Sequence, residues 1–221
     1  FPGAPVFGKD RIARYDSEIW GVDQQIGRII TDLKTRGMWE NTILFITGDH
    51  GEEFEEHGER YHGSNLYEQQ IRTLGLLRVP GLEARRVESP VGFVDVGATL
   101  LNMAGVDAKK SYARLSGRNL TRALIEEQPL EKDTIVSEVW DVLSQRGYQL
   151  ATISWPYKLI LSGKNAEQRE LYDLSKDPTE ERDLWDNPKH KEVREAMLEE
   201  AMGYLDGSDR TYRTDKGTKK P

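Results

Sequence analysis

Between Asp10 and Leu33 the apolar residues Ile12, Tyr15, Ile19, Val22, Ile26, Ile29, Ile30 and Leu33 recur at helical spacing. The pattern predicts a long amphipathic helix with its apolar stripe on one face. Gly37 follows as a C-cap. A continuous apolar run, Ile43-Leu44-Phe45-Ile46, comes next. Its shortness and β-branched content predict a strand. Its lack of alternation predicts cover on both faces, as in a parallel sheet. Helix, tight turn and buried strand make half of a βαβ unit. The strand ends at Thr47-Gly48-Asp49-His50-Gly51.

Residues 51–65 are acidic and punctuated by glycine, which predicts a loop with a short helical turn. A second strand is expected at 73–79, before the Pro80-Gly81 turn. Residues 92–104 predict a helix with Phe93, Val96, Leu100 and Met103 on one face and Gly105 as its stop. Leu120, Leu124 and Ile125 mark a further short helix. Beyond about residue 130 the texture changes. Strands are expected at 134–139, 148–154, 157–161 and 169–174, separated by turns at Trp155-Pro156 and 162–165. Consecutive short strands with tight turns predict an antiparallel sheet. Val193, Met197, Ala201 and Leu205 predict a helix over 188–205. Residues 1–9 and the polar tail 207–221 read as loop. The expected fold class is α/β: a mixed, mainly parallel sheet flanked by helices over residues 1–130, then a small antiparallel sheet plus helix over 131–206.

The net charge is −7, from 31 Lys+Arg against 38 Asp+Glu. That disfavours a general nucleic-acid partner. No apolar run approaches the length of a bilayer-spanning helix, so no membrane segment is expected. With no cysteine, a disulfide framework and a Cys nucleophile are both excluded. The first residues, FPGAPVFGKD, do not begin with Met and lack a signal-peptide pattern. A piece of a longer protein is therefore expected.

The chemistry concentrates at Asp49-His50-Gly51. Ligands bind at the carboxyl ends of strands in open α/β sheets, and a carboxylate beside an imidazole suits a divalent metal. The pair favours Mn²⁺, Zn²⁺ or Fe, with Ca²⁺ and Mg²⁺ still open. Gly51 is expected to permit a sharp turn there. His57 and His62 lie close in sequence, and clustered histidines suit metal or proton-transfer chemistry. His62 is the better candidate, because its Gly63-Ser64-Asn65 neighbours return the chain toward the sheet. His57 sits in a glutamate run that reads as a solvated lid. Glu52 and Glu53 are poorly placed as further ligands, so the site looks incomplete within the chain. Arg60 and Arg72 are read as surface or structural cations, and His190 as a surface residue.

Several stretches, in order, resemble the sulfatase family of the alkaline phosphatase superfamily. YDSEIWGVDQQIGRIITDL is similar to the family helix before the metal strand. NTILFITGDHGEEFEEHG and HGSNLYEQQIRTLGLLRVPG are similar to its second metal motif and the strand after it. SPVGFVDVGATLLNMAGV resembles the VDLxPTLLxLAG helix, LSGRNLTRAL the "DGxSL" segment, and ELYDLSKDPTEERDL the motif of a small C-terminal subdomain. The resemblance covers nearly all of residues 11–206 and implies a metal-dependent sulfuric ester hydrolase. It implies Asp49 and His50 as the second pair of ligands to a divalent metal (Ca, Mg, Mn or Zn). The position of His50 is Asn in the best-known sulfatases. It is His in many bacterial sulfatases, phosphonate monoester hydrolases and membrane phospho-transferases. His62 falls where relatives place a Lys or His that contacts the substrate anion or protonates the leaving group. The family's nucleophile and first metal carboxylates lie in an N-terminal half, and no Cys-x-Pro-x-Arg motif occurs in this chain. The resemblance therefore implies a C-terminal portion, inactive alone, whose partners are that missing half and a small sulfate or phosphate ester. A phosphonate or phosphodiester hydrolase, or a phospho-head-group transferase, fits the same residues. A non-catalytic module binding metal or a partner through the acidic run 52–59 is the reading of another class.

Overall fold

The computed structural model describes residues 5–106, 117–126, 134–141, 147–163 and 166–206. The polar tail, residues 1–4 of the leading loop, the first two residues of LSGRNLTRAL and Lys164-Asn165 lie outside them. The first helix, α1 (Arg11–Thr35), starts at Asp10, whose carboxylate accepts from the Ala13 N–H at 2.8 Å. It ends in a Schellman motif. Gly37 takes φ +69, its N–H donates to the Lys34 carbonyl, and Met38 N–H reaches the Leu33 carbonyl. The apolar stripe forms as the spacing predicts, but Gly21 is the one buried residue of α1. Ile12, Ile19, Val22 and Ile29 each keep more than half their surface exposed.

Strand β1 (Leu44–Thr47) and strand β4 (Gly75–Arg78) form a two-stranded sheet. The pairing is antiparallel, with Leu44 opposite Arg78 and Thr47 opposite Gly75. No parallel pairing is seen among the described residues, so of the expected mixed sheet only this antiparallel pair is present. β1 is also half-buried along its length rather than fully covered. An unbroken apolar run reports two faces able to be covered. It carries no information about the direction of the neighbouring strand. Arg78 fixes the entry to β1: its guanidinium donates to the Trp39 and Thr42 carbonyls at 2.8 and 2.7 Å and lies over the Trp39 ring.

The acidic segment is a small hairpin, β2 (Glu53–Phe54) with β3 (Arg60–Tyr61), followed by the helical turn α2 (Glu68–Ile71). Helix α3 (Phe93–Met103) lies where expected but buries Asp95, Ala98 and Thr99, while Phe93 stays 60% exposed. Asp95 takes the backbone N–H and a guanidinium N–H of Arg118, both at 2.7 Å. This polar pairing, rather than the apolar face, orients α3. A short helix, α4 (Thr121–Ile125), follows.

The second sheet is a four-stranded antiparallel meander: β5 (Ile135–Asp141), β6 (Gly147–Ser154), β7 (Tyr157–Ser162) and β8 (Gln168–Asp173). Strand alternation divides its apolar side chains between two faces. Leu150, Leu159, Leu161 and Leu171 pack with Met197 and Ala201 of helix α5 (Lys191–Asp206). Ala151, Ile160 and Tyr172 pack on the other face with Leu66, Tyr67 and Leu174. The residues just before α2 are thus built into the core of the second sheet.

Polar groups complete that junction. Lys158, fully buried on β7, pairs with Glu180 at 2.7 Å and Glu68 at 3.1 Å. Burial raises the Glu180 carboxyl above its ordinary range, against the pull of Lys158 and of the Glu68 N–H. Tyr67 Oη donates to Glu170 at 2.6 Å, and Gln149 Nε2 donates to the Ser64 carbonyl at 2.7 Å. The segment after His62 is therefore anchored on the second sheet.

Candidate metal centre and its histidines

Asp49 and His50 leave the end of β1 into an exposed rim. His50 Nδ1 lies 2.8 Å from the Gly51 carbonyl. A carbonyl only accepts, so Nδ1 carries a proton, and in the neutral ring Nε2 is then the nitrogen with the lone pair. That Nε2 stands 3.6 Å from Asp49 Oδ2. Two electron-pair donors facing one gap fit a shared cation, and bonds of about 2.1 Å from one ion reach both. The backbone carbonyl that holds Nδ1–H is the kind of outer support that metal-binding histidines use. Among the described residues no group of three or more acidic or histidine side chains is arranged to hold a metal.

Gly51 serves a different purpose from the one expected. A Cβ there would sit 2.1 Å from the Gln69 carbonyl oxygen, and Gly51 N–H donates to the Gln70 carbonyl at 2.7 Å. The glycine allows the strand end to lie directly against the backbone of α2, and no left-handed conformation is needed.

His62 comes back to the site. Its ring stacks on that of His50, with centroids 3.8 Å apart and planes at 29°. His62 Nδ1 is 3.0 Å from Glu52 Oε2. His57 goes elsewhere: it stacks on Tyr67 at 3.7 Å and its Nε2 bonds the Thr179 carbonyl at 2.9 Å. Its role is to clasp the hairpin to the second sheet. Arg60 ion-pairs with Glu55 within the hairpin. Arg72 is exposed at the end of α2, where its N–H caps the Glu68 carbonyl. His190 ends a 3₁₀ turn before α5, edge-on to Tyr157.

The glutamate run is not a uniformly solvated lid. Glu53 is completely buried. It accepts from Asn65 Nδ2 at 2.6 Å, Gln70 Nε2 at 2.8 Å, and the His57 and Glu59 N–H groups at 2.9 and 3.0 Å. Burial works to raise its pKa. The hydrogen bonds from Asn65, Gln70 and the two backbone donors outweigh it, and the carboxyl lies below its ordinary value. Glu53, Asn65 and Gln70 form the framework that returns His62 to His50. Nothing in the spacing of these three residues announces it, because their common point is made by tertiary packing.

Residues 4–106 match the family model described as Sulfatase. The match places that segment in the sulfatase family. YidJ of Escherichia coli strain K12, described as an uncharacterized sulfatase, is 28% identical over 90% of this chain and 39% of its own length. Arylsulfatase K of Bos taurus is 34% identical over 72% of this chain and 30% of its own length. The chain thus spans well under half the length of these curated relatives. Among solved structures, BT4656 in complex with its substrate D-glucosamine-2-N,6-O-disulfate superposes with a TM-score of 0.71 and 23% identity, over 90% of this chain and 40% of that one. The phosphonate monoester hydrolase of Agrobacterium radiobacter gives a TM-score of 0.70 and 22% identity, over 88% of this chain and 41% of that one. These likenesses support the fold. Among the described residues no helix is long and apolar enough to cross a membrane.

Proposed function

We propose that this chain is part of a metal-dependent hydrolase of sulfate esters, with Asp49 and His50 as two of the metal's ligands and His62 on the leaving-group side. The observation that carries the proposal is the facing pair of lone-pair donors, His50 Nε2 and Asp49 Oδ2, at 3.6 Å. A divalent ion bound there would supply polarisation of the ester oxygen. Asp49 contributes negative charge to hold the cation. His50, fixed in its tautomer by the Gly51 carbonyl, contributes a neutral nitrogen. His62, stacked on His50, would deliver a proton to the departing oxygen. The chain spans 39% of the length of YidJ and holds no Cys-x-Pro-x-Arg motif, so the nucleophile would come from residues outside these 221, as would the remaining ligands. The chain alone would be inactive. Those outside residues would also complete a mainly parallel sheet on β1, making residues up to about 130 part of a catalytic domain and the later sheet a subdomain.

The test is metal content and turnover in the full-length protein with Asp49→Ala and His50→Ala. Loss of both is expected, and unchanged metal and turnover in either variant would reject the assignment. The fold shared with a phosphonate monoester hydrolase favours one second reading, a phosphonate or phosphodiester substrate at the same residues. Comparing kcat/KM for paired sulfate and phosphonate esters decides between them.

A further inference from the structure

Glu52 and Glu53 are neighbours in sequence with unlike surroundings. Every donor near Glu53 is part of the loop's own architecture, and four of them converge on it. The Glu52 side chain is only 14% exposed. Its Oε2 meets His62 Nδ1 at 3.0 Å, while its Oε1 is buried with no hydrogen-bond partner. Leaving a carboxylate oxygen buried and unpaired is costly. Among the described residues, His62 is the one group that uses this carboxylate. The fold gains nothing else from it.

From this contrast we infer that Glu52 is a positioning residue for His62. This rests on the reading of His62 as the leaving-group acid. The carboxylate receives Nδ1–H, fixes the tautomer and holds the ring flat against His50. His62 Nε2 then stands without a protein partner among the described residues and is the nitrogen that meets the substrate. His50 and His62 share this design. Each ring is tied through Nδ1, to a carbonyl in one case and a carboxylate in the other, and each offers Nε2. In the reaction, the nucleophile supplied from outside these residues bonds to sulfur as the leaving oxygen's bond to sulfur breaks, the proton on His62 Nε2 passes to that oxygen, and the ring is left neutral with Nδ1–H still on Glu52. The Glu52 carboxylate ends the step as it began.

The experiment has two arms, run on the full-length protein with ¹⁵N-labelled histidine. In the first, the neutral His62 tautomer is read by long-range ¹H–¹⁵N correlation in the wild type, Glu52→Ala and Glu52→Gln. The wild type is expected to show Nδ1–H. Glu52→Gln keeps an acceptor and the volume, and should retain that tautomer. Glu52→Ala should shift it to Nε2–H. In the second arm, turnover is compared for nitrophenyl and alkyl sulfate esters. Glu52→Ala should lose on the order of 10- to 100-fold on the alkyl ester and much less on the nitrophenyl ester, whose leaving group needs no proton. Glu52→Gln should recover part of the loss. An Nε2–H tautomer in the wild type, an unchanged tautomer in Glu52→Ala, or an equal loss on both esters would overturn the inference. A wild type that turns over no sulfate ester counts against the proposed function alone, since the tautomer arm still decides the role of Glu52.

Discussion

The imidazoles of His50 and His62 lie face to face, 3.8 Å between centroids, although the whole β2–β3 hairpin separates them in the chain. The stack makes a strand end and a loop return into one site. It depends on two supports: the glutamate framework inside the hairpin, and the anchoring of α2 on the second sheet. Four predictions test those supports and the pair they serve.

Glu53→Gln should destabilise the chain by about 2–4 kcal/mol, because a buried acceptor that serves four donors is partly replaced by a donor. The effect should also depend on pH. The Glu53 carboxyl has a lower pKa folded than unfolded, so the unfolded chain binds more protons between the two values. The stability it adds is complete above the ordinary carboxylate pKa and is lost as pH falls through the folded one. Urea unfolding across that acid range should show a flatter profile in Glu53→Gln.

Gly51→Ala should cost about 2–4 kcal/mol, because its Cβ would meet the Gln69 carbonyl at 2.1 Å. The backbone must move for it to fit, and Asp49 and His50 move with it. Chemical denaturation should show the loss, and metal titration of the full-length protein should show weaker binding. Gly58→Ala, whose Cβ has nothing within 4 Å but whose φ is +84, should cost about 1 kcal/mol through backbone strain alone and leave metal binding unchanged.

Lys158→Met should cost about 3–5 kcal/mol, since it leaves Glu180 buried without its cation. Adding Glu180→Gln should recover much of that loss, because the amide oxygen still accepts from the Glu68 N–H that now meets Glu180 at 2.6 Å. A double-mutant cycle by urea denaturation measures the coupling. Additive losses would show that the two side chains do not act as a pair.

His50→Ala should weaken divalent-metal binding on the order of 100-fold or more, given that loss of outer-shell support alone costs about 10–100-fold. His57→Ala should leave metal affinity unchanged and lower stability by about 1–2 kcal/mol, the value of its bond to Thr179 and its stack on Tyr67. Calorimetric titration and thermal unfolding of the same variants separate the two roles. Equal effects on metal would mean that the hairpin folds differently from the structure described.

Much of the secondary structure was legible along the chain. Gly37 was readable as the stop of α1 because capping is local chemistry, confined to a few residues on either side of a helix end. The four strands of the meander were legible for the same reason, with short apolar runs broken by turn residues. The direction of the sheet at β1 was not. Phe45 and Ile46 are apolar whether their neighbour runs up or down, and pairing with Leu77 and Leu76 is settled by where the loop beyond Asp49 returns. The same limit applies to α3. Its apolar positions were visible, but the buried face is set by Asp95 and the distant Arg118.

By itself the sequence determined where the elements lie, and that a carboxylate and an imidazole stand together at the end of a strand. Adjacent residues need no fold to be neighbours. The tertiary structure decided what each charged or aromatic group does: Glu53 supports the loop, Glu52 holds His62, His57 clasps the second sheet, and His62 returns to His50. Those assignments come from contacts between residues far apart in the chain, and the periodicity of a backbone encodes only its own neighbourhood.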